Sequence, residues 1–166
     1  MPLKILISIC LLRAAPQDLP ASRAGMLVAL VVYAVAGVLG VLDVLTLENG
    51  IMAAVVDTLL LAAMTHLVLQ WRQQENRVTQ TLTALAGCGA LLSLLAWGAA
   101  GLAREAFQPE WIWAAFLVWY TLVFGHILRH ALSITLAAGV AASLLYLILS
   151  MGVTGLFMDP APTAVS

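Results

Sequence analysis

The sequence predicts an all-α protein, a polytopic membrane bundle of five transmembrane helices plus a short N-terminal interfacial helix. Apolar residues make up 63% of the 166 residues, and Asp, Glu, Lys and Arg only 9%, whereas soluble domains carry roughly 25% charged residues. The apolar runs are continuous and close to the length of about 20 residues that a helix needs to cross a bilayer. Because lipid offers backbone groups no hydrogen-bond partner, we expect helices throughout.

The segment before the first long apolar run is too short to cross. Residues 2–12 hold about ten apolar residues, half of the roughly 20 that a span requires, and they lie between Lys4 and Arg13. This pattern predicts a helix that lies in or dips into the cytoplasmic interface. Pro16 and Pro20 follow and mark a linker. Residues 1–23 are therefore predicted to form a cytoplasmic interfacial segment and linker.

Five apolar runs separated by short polar segments predict the bundle at residues 24–157. The first span is residues 24–47, and the residues at 48–50 predict a tight turn because Gly50 tolerates positive φ. The other spans are residues 51–69, 78–102, 111–128 and 131–157, with a short turn predicted at Arg129 and His130 between the last two. Residues 158–166, with two prolines, predict a disordered tail.

The cations predict the orientation of the bundle. With the N-terminus inside, six of the seven basic residues fall on the cytoplasmic side and only Arg104 falls opposite, as the excess of Lys and Arg in cytoplasmic loops requires. The six, which we expect to contact anionic lipid, are Lys4, Arg13, Arg23, Arg72, Arg77 and Arg129. The alanine- and leucine-rich composition and short loops are typical of a bacterial inner-membrane protein, with a periplasmic C-terminus.

Two aspartates within the predicted spans are the first candidate site. Asp43 and Asp57 each lie seven residues from Gly50, so a hairpin would place them at one depth, about 10 Å from the turn. Small residues flank both positions, Gly40 before Asp43 and Ala53 and Ala54 before Asp57, and small residues mark close helix contacts. The pair is therefore expected to face inward, either as a proton or cation site or as a structural pair that fixes helix packing.

The three histidines are the second candidate site. His66, His126 and His130 all lie toward the cytoplasmic ends of their spans. Two histidines on different helices can hold a haem, and three can hold a metal. Interfacial histidines without a ligand are the alternative interpretation.

The sequence lacks the residue patterns that are typical of several other functional classes. The net charge of −1 gives no electrostatic footprint for nucleic acid. Cys10 and Cys88 are 78 residues apart, and Cys88 lies between two glycines where a small packing residue is expected, so no disulfide is predicted. The sequence shows no nucleophile and base pair and no phosphate loop, which predicts a protein that is not an enzyme and needs no cofactor.

Five spans, a cytoplasmic N-terminus and a short exported tail resemble the arrangement of Yip1-type membrane proteins. The resemblance rests on topology over the whole chain, and no functional residue is transferred from it.

The leading hypothesis from the sequence is an accessory or scaffold subunit of a membrane complex, whose partners are the lipid bilayer and other membrane subunits or further copies of itself. The second is a proton- or cation-coupled transporter or channel component that uses Asp43 and Asp57. The third is a haem-binding electron-transfer subunit that uses the histidines.

Overall fold

The computed structural model describes residues 2–102 and 109–158, and within them it is all-helical, as the composition predicts. The predicted tail from residue 159 onward and Arg104 lie outside the described residues. The six α-helices of the described part are α1 (Pro2–Cys10), α2 (Arg23–Val41), α3 (Leu47–Trp71), α4 (Val78–Leu102), α5 (Pro109–Leu132) and α6 (Leu136–Leu156).

Five of these helices, α2 to α6, are long and apolar enough to cross a membrane. Their connections are short, with five residues between α2 and α3 and three between α5 and α6. We call the end of the bundle at which α2, α4 and α6 begin the basic end, because Arg23, Arg72, Arg77 and Arg129 lie there. The opposite end is called the far end.

Hydroxyl caps explain where three of the helices begin. The side-chain oxygens of Ser22, Thr46 and Thr135 accept hydrogen bonds from backbone N–H groups three residues later, at 3.2, 3.3 and 3.3 Å. Such caps satisfy amide groups that have no partner inside the helix. They lie immediately before α2, α3 and α6.

Two of the predicted turns are wrong, and the caps give the reason. The turn between α2 and α3 lies before Thr46, so the expected turn at residues 48–50 is instead the first turn of α3. Gly50 is buried there against Val41. Likewise Arg129 and His130 lie inside α5, because the chain turns later, at Ser133, which has a left-handed φ of 54°.

The centre of the bundle is α4. Its glycines let neighbours approach closely, since a methyl group on Gly87 would lie 2.9 Å from the Leu6 side chain and one on Gly89 would lie 2.8 Å from the Tyr33 ring. Cys88 between them is fully buried, as its sequence setting predicts. Helices α2 and α5 make the most extensive contacts with α4.

Helix α1 packs against the middle of α4. Leu6 sits over Gly87, and the Cys88 thiol lies 3.6 Å from the Leu6 carbonyl oxygen. Cys88 is about 15 Å along α4 from its start, half of a hydrocarbon core about 30 Å thick. The Trp119 indole N–H donates to the Cys10 carbonyl at 3.1 Å and holds the end of α1 against α5.

The chain then returns to the basic end. A left-handed residue, Leu12 with φ of 59°, ends α1, and the Arg13 amide donates to the Ser8 carbonyl at 2.8 Å in a Schellman-type cap. The Gln17 side-chain amide donates to the His130 carbonyl at 2.8 Å, and the Gln80 amide donates to the Leu19 carbonyl at 2.6 Å. Residues 2–19, which we call the re-entrant segment, therefore enter the bundle and turn back.

Candidate functional site

Two of the three tyrosines of the chain donate to one carboxyl group in the interior of the bundle, and the third lies beside one of them. Tyr33 comes from α2, Tyr120 from α5, Tyr146 from α6 and Asp57 from α3. Four helices thus contribute one polar side chain each to a cluster with apolar surroundings. We call these four residues the tyrosine–aspartate cluster.

The contacts within the tyrosine–aspartate cluster are short. The Tyr33 hydroxyl lies 2.8 Å from Asp57 Oδ2, and the Tyr146 hydroxyl lies 3.1 Å from both carboxyl oxygens. The two hydroxyls are 2.9 Å apart, so three groups form a closed triangle. The Tyr120 hydroxyl is more remote, at 3.5 Å from that of Tyr33. Tyr120 is held in place by stacking on Phe124, with ring centroids 4.1 Å apart.

Both phenols donate to the Asp57 carboxyl group, Tyr33 to Oδ2 and Tyr146 to both oxygens. In the 2.9 Å contact between the two phenols, either oxygen can be the donor. The triangle therefore surrounds one acid with two phenol donors and links α2, α3 and α6 through it.

A cavity of about 250 Å³ leads to the cluster from the far half of the bundle. Its polar groups are Asp57, Ser93, Ser150 and Thr154, together with two of the tyrosines. Its aromatic walls are Tyr33, Trp113, Phe116 and Tyr120. The backbone comes close at Gly37, where an added methyl group would lie 3.5 Å from Ala54. The site thus combines one acid, several hydroxyls and aromatic faces, which is a set of groups that suits a cation.

The prediction that Asp57 points into the bundle is confirmed, whereas the predicted pairing with Asp43 is wrong. Ala53 and Ala54 beside Asp57 are buried, as the small-residue pattern indicates. Asp43 lies in the turn after α2 and is exposed, because α2 ends at Val41, two residues before it. The acidic residues at the far end are instead spread around it, with Asp43, Glu48 and Glu110 all exposed.

The histidines do not form the predicted three-residue set. His126 and His130 contact each other edge to face, with ring centroids 4.6 Å apart. The His126 Nε2 is 3.0 Å from the Ala14 carbonyl oxygen, so this ring holds the re-entrant segment. His66 is exposed on α3. No group of three metal-binding side chains is found in residues 2–102 and 109–158.

The six cations predicted to contact lipid have different surroundings in the structure. Arg72 donates to the Leu132 carbonyl at 3.3 Å, and Arg77 donates to the carbonyls of His130 and Ala131 at 3.2 and 3.3 Å. These two residues therefore cap the end of α5, where cations are favoured by the helix dipole. The other four cations are exposed, and two of these, Arg13 and Arg129, line a common cleft.

The sequence interpretation assigned no role in a site to Tyr33, Tyr120 or Tyr146. One signal was available, since all three tyrosines lie within predicted spans and a phenol in lipid needs a hydrogen-bond partner. Asp57 is the acidic residue that lies within a predicted span at a depth similar to that of the tyrosines.

Comparison with models of protein families, with curated proteins and with solved structures finds no match to this chain. The resemblance to Yip1-type proteins accordingly stays a prediction.

Proposed function

We propose that this chain is a non-enzymatic membrane protein that binds a proton or a small cation at Asp57 and serves as a proton- or cation-coupled transporter or channel component. The observation that carries the proposal is the position of Asp57, an acid inside the bundle that accepts hydrogen bonds from Tyr33 and Tyr146 and lines the cavity. An ionisable residue within a span costs about 2.5 to 3.5 kcal/mol at mid-membrane and is by default a functional site.

The position of the cavity supports access from the far end. It is lined by the second halves of α2, α4 and α6 and the first halves of α3 and α5, and those halves lie away from the basic end. The exposed carboxylates of Asp43, Glu48 and Glu110 lie at the far end and raise the local concentration of cations there. A cation that enters the cavity meets aromatic faces first and Asp57 at the innermost point.

We infer that the basic end faces the cytoplasm of a bacterium and that the membrane is the inner membrane. The support is the placement of Arg23, Arg72, Arg77 and Arg129 at one end, because cytoplasmic connections carry the excess of Lys and Arg. The far end and the cavity then face the periplasm.

An accessory or scaffold role stays a prediction beside this proposal. The short connections between helices support it, since they leave mainly lipid-facing surfaces for contact with another subunit. The two roles are compatible, because one subunit of a transporter complex can bind a cation and also contact another subunit.

The proposal is tested by the unfolding temperature of the purified protein in sodium, potassium or tetramethylammonium chloride at matched ionic strength. Asp57→Asn removes the acid, and Asp43→Asn is the matched control because Asp43 is exposed in a turn. A ligand at 100 times its Kd stabilises by about 2.7 kcal/mol. That gain should raise the unfolding temperature by about 5 to 11 °C in at least one salt for the wild type and Asp43→Asn, and not for Asp57→Asn. The same shift in Asp57→Asn, or no shift in any protein, would contradict cation binding at this site.

A further inference from the structure

A second cleft, separate from the Asp57 cavity, lies at the basic end between the re-entrant segment and α5. It has a volume of about 520 Å³. Its charged and titratable side chains are Arg13, Asp18, His126, Arg129 and His130. The Asp18 carboxylate accepts the Ala15 N–H at 2.9 Å and so stabilises the turn at Pro16–Asp18. Two guanidinium groups and one carboxylate therefore give the cleft a net positive charge, which favours the binding of an anion.

A third, apolar cleft of about 580 Å³ lies farther along α5 from the basic end. It is lined by Cys10 and Leu11 of the re-entrant segment, by Leu92 and Leu95 of α4, and by Ala115 and Trp119 of α5. We call this the apolar cleft and the previous one the basic cleft.

The two clefts share one face of α5. Trp119 lines the apolar cleft, His126 and Arg129 line the basic cleft, and spacings of three, four and seven residues place side chains on one face of a helix. Leu11 lines the apolar cleft and its neighbour Leu12 lines the basic cleft, and their side chains are 51% and 36% exposed. The two clefts therefore share the re-entrant segment as well as one face of α5.

The dimensions match one lipid leaflet. Arg129 and Ala115 are about 21 Å apart along α5. Half of a bilayer about 40 to 45 Å thick, headgroups included, is about 20 to 22 Å. A polar group at Arg129 and a chain that ends near Ala115 are thus separated by about the thickness of one leaflet.

From this arrangement we propose that the clefts form a binding site for one anionic phospholipid, with its phosphate between Arg13 and Arg129 and an acyl chain in the apolar cleft. Basic pockets between membrane helices are known to hold such headgroups. The bound lipid would tie the re-entrant segment to α5, because it contacts both. Only Arg13 and Arg129 bind the phosphate in this proposal. Arg72 and Arg77 at the same end already donate to carbonyl groups of α5.

The headgroup part is tested with the full chain in nanodiscs of phosphatidylcholine doped with phosphatidylglycerol, with retained lipid measured by native mass spectrometry. Arg13→Gln/Arg129→Gln removes two cleft charges, and Lys4→Gln/Arg23→Gln is the matched control because it removes two exposed charges outside the clefts. The affinity for phosphatidylglycerol should fall about tenfold in the first variant and less than twofold in the second. Equal losses would indicate diffuse attraction and overturn the proposal.

The acyl part is tested by blocking the apolar cleft without changing charge. Ala115→Trp fills the cleft, and Ala114→Trp is the control, since residue 114 is exposed on α5 outside both clefts. Only Ala115→Trp should lose phosphatidylglycerol, again by about tenfold, and glycerol phosphate should not displace the lipid. Equal retention of phosphatidylglycerol in both variants, or its displacement by glycerol phosphate, would overturn the proposed lipid site and indicate at most a site for a free anion.

Discussion

Gly139→Ala is expected to lower the free energy of unfolding by about 3 kcal/mol, the upper part of the range for overpacked cores. At position 139 of α6, a methyl group would collide with the carbonyl oxygen of Gly125 and would lie 3.2 Å from the backbone nitrogen of Arg129. The contact is reciprocal, because a methyl group on Gly125 would lie 2.9 Å from backbone atoms of Val140. Backbone atoms cannot rotate away as a side chain does, so α5 and α6 would have to separate.

The control for this prediction is Gly152→Ala on the same helix. A methyl group at Gly152 meets nothing within 4 Å, and alanine is favoured over glycine in a helix by about 1 kcal/mol. Unfolding in mixed micelles of increasing sodium dodecyl sulfate, followed by circular dichroism, should therefore rank Gly152→Ala at or above the wild type and Gly139→Ala far below. Equal stability of the two variants would contradict the observed crossing of α5 and α6.

Tyr33→Phe and Tyr146→Phe are expected to destabilise the protein by about 1.5 kcal/mol each, near the upper limit for hydrogen bonds between membrane helices. Each change removes a hydroxyl that lies within 3.1 Å of the Asp57 carboxyl group and 2.9 Å from the other phenol. The loss leaves a polar group without a partner inside the bundle, and that penalty exceeds the net gain from forming one hydrogen bond.

Tyr120→Phe is the matched control for the tyrosine changes. Its hydroxyl makes only the 3.5 Å contact with Tyr33, and its ring would keep the stacking on Phe124, so the cost should stay below about 0.5 kcal/mol. The same detergent unfolding curves measure all three variants. If Tyr120→Phe cost as much as Tyr33→Phe, the triangle around Asp57 would not be the organising feature of the cluster.

The sequence predicted the number of long helices because that number depends only on the length and polarity of successive runs. The positions of two turns were missed because hydroxyl caps decided them. Thr46 and Thr135 each begin a helix, whereas Asn49, Gly50 and Arg129 looked like turn residues on composition alone. Caps depend on which of several competing local hydrogen bonds form.

The inward orientation of Asp57 was predictable because Ala53 and Ala54 mark its face. The tyrosines that surround it were not, since α2, α5 and α6 are apolar on all sides and such helices do not reveal which face is buried. The depth of α1 was also unpredictable, because about ten apolar residues suit an interfacial helix and a half-length buried helix equally well. Only the groove at Gly87 distinguishes the two.

The measurement that tests the central claim most directly is the infrared difference spectrum of the protein between acid and alkaline buffer. A protonated carboxyl group has a carbonyl stretching band that disappears when the acid ionises. The wild type and Asp43→Asn should both show a band that is absent from Asp57→Asn. Addition of the cation that raises the unfolding temperature should remove this band at constant pH, because the cation displaces the proton from Asp57. A spectrum of Asp57→Asn identical to that of the wild type would show that Asp57 carries no exchangeable proton and would contradict the proposed function.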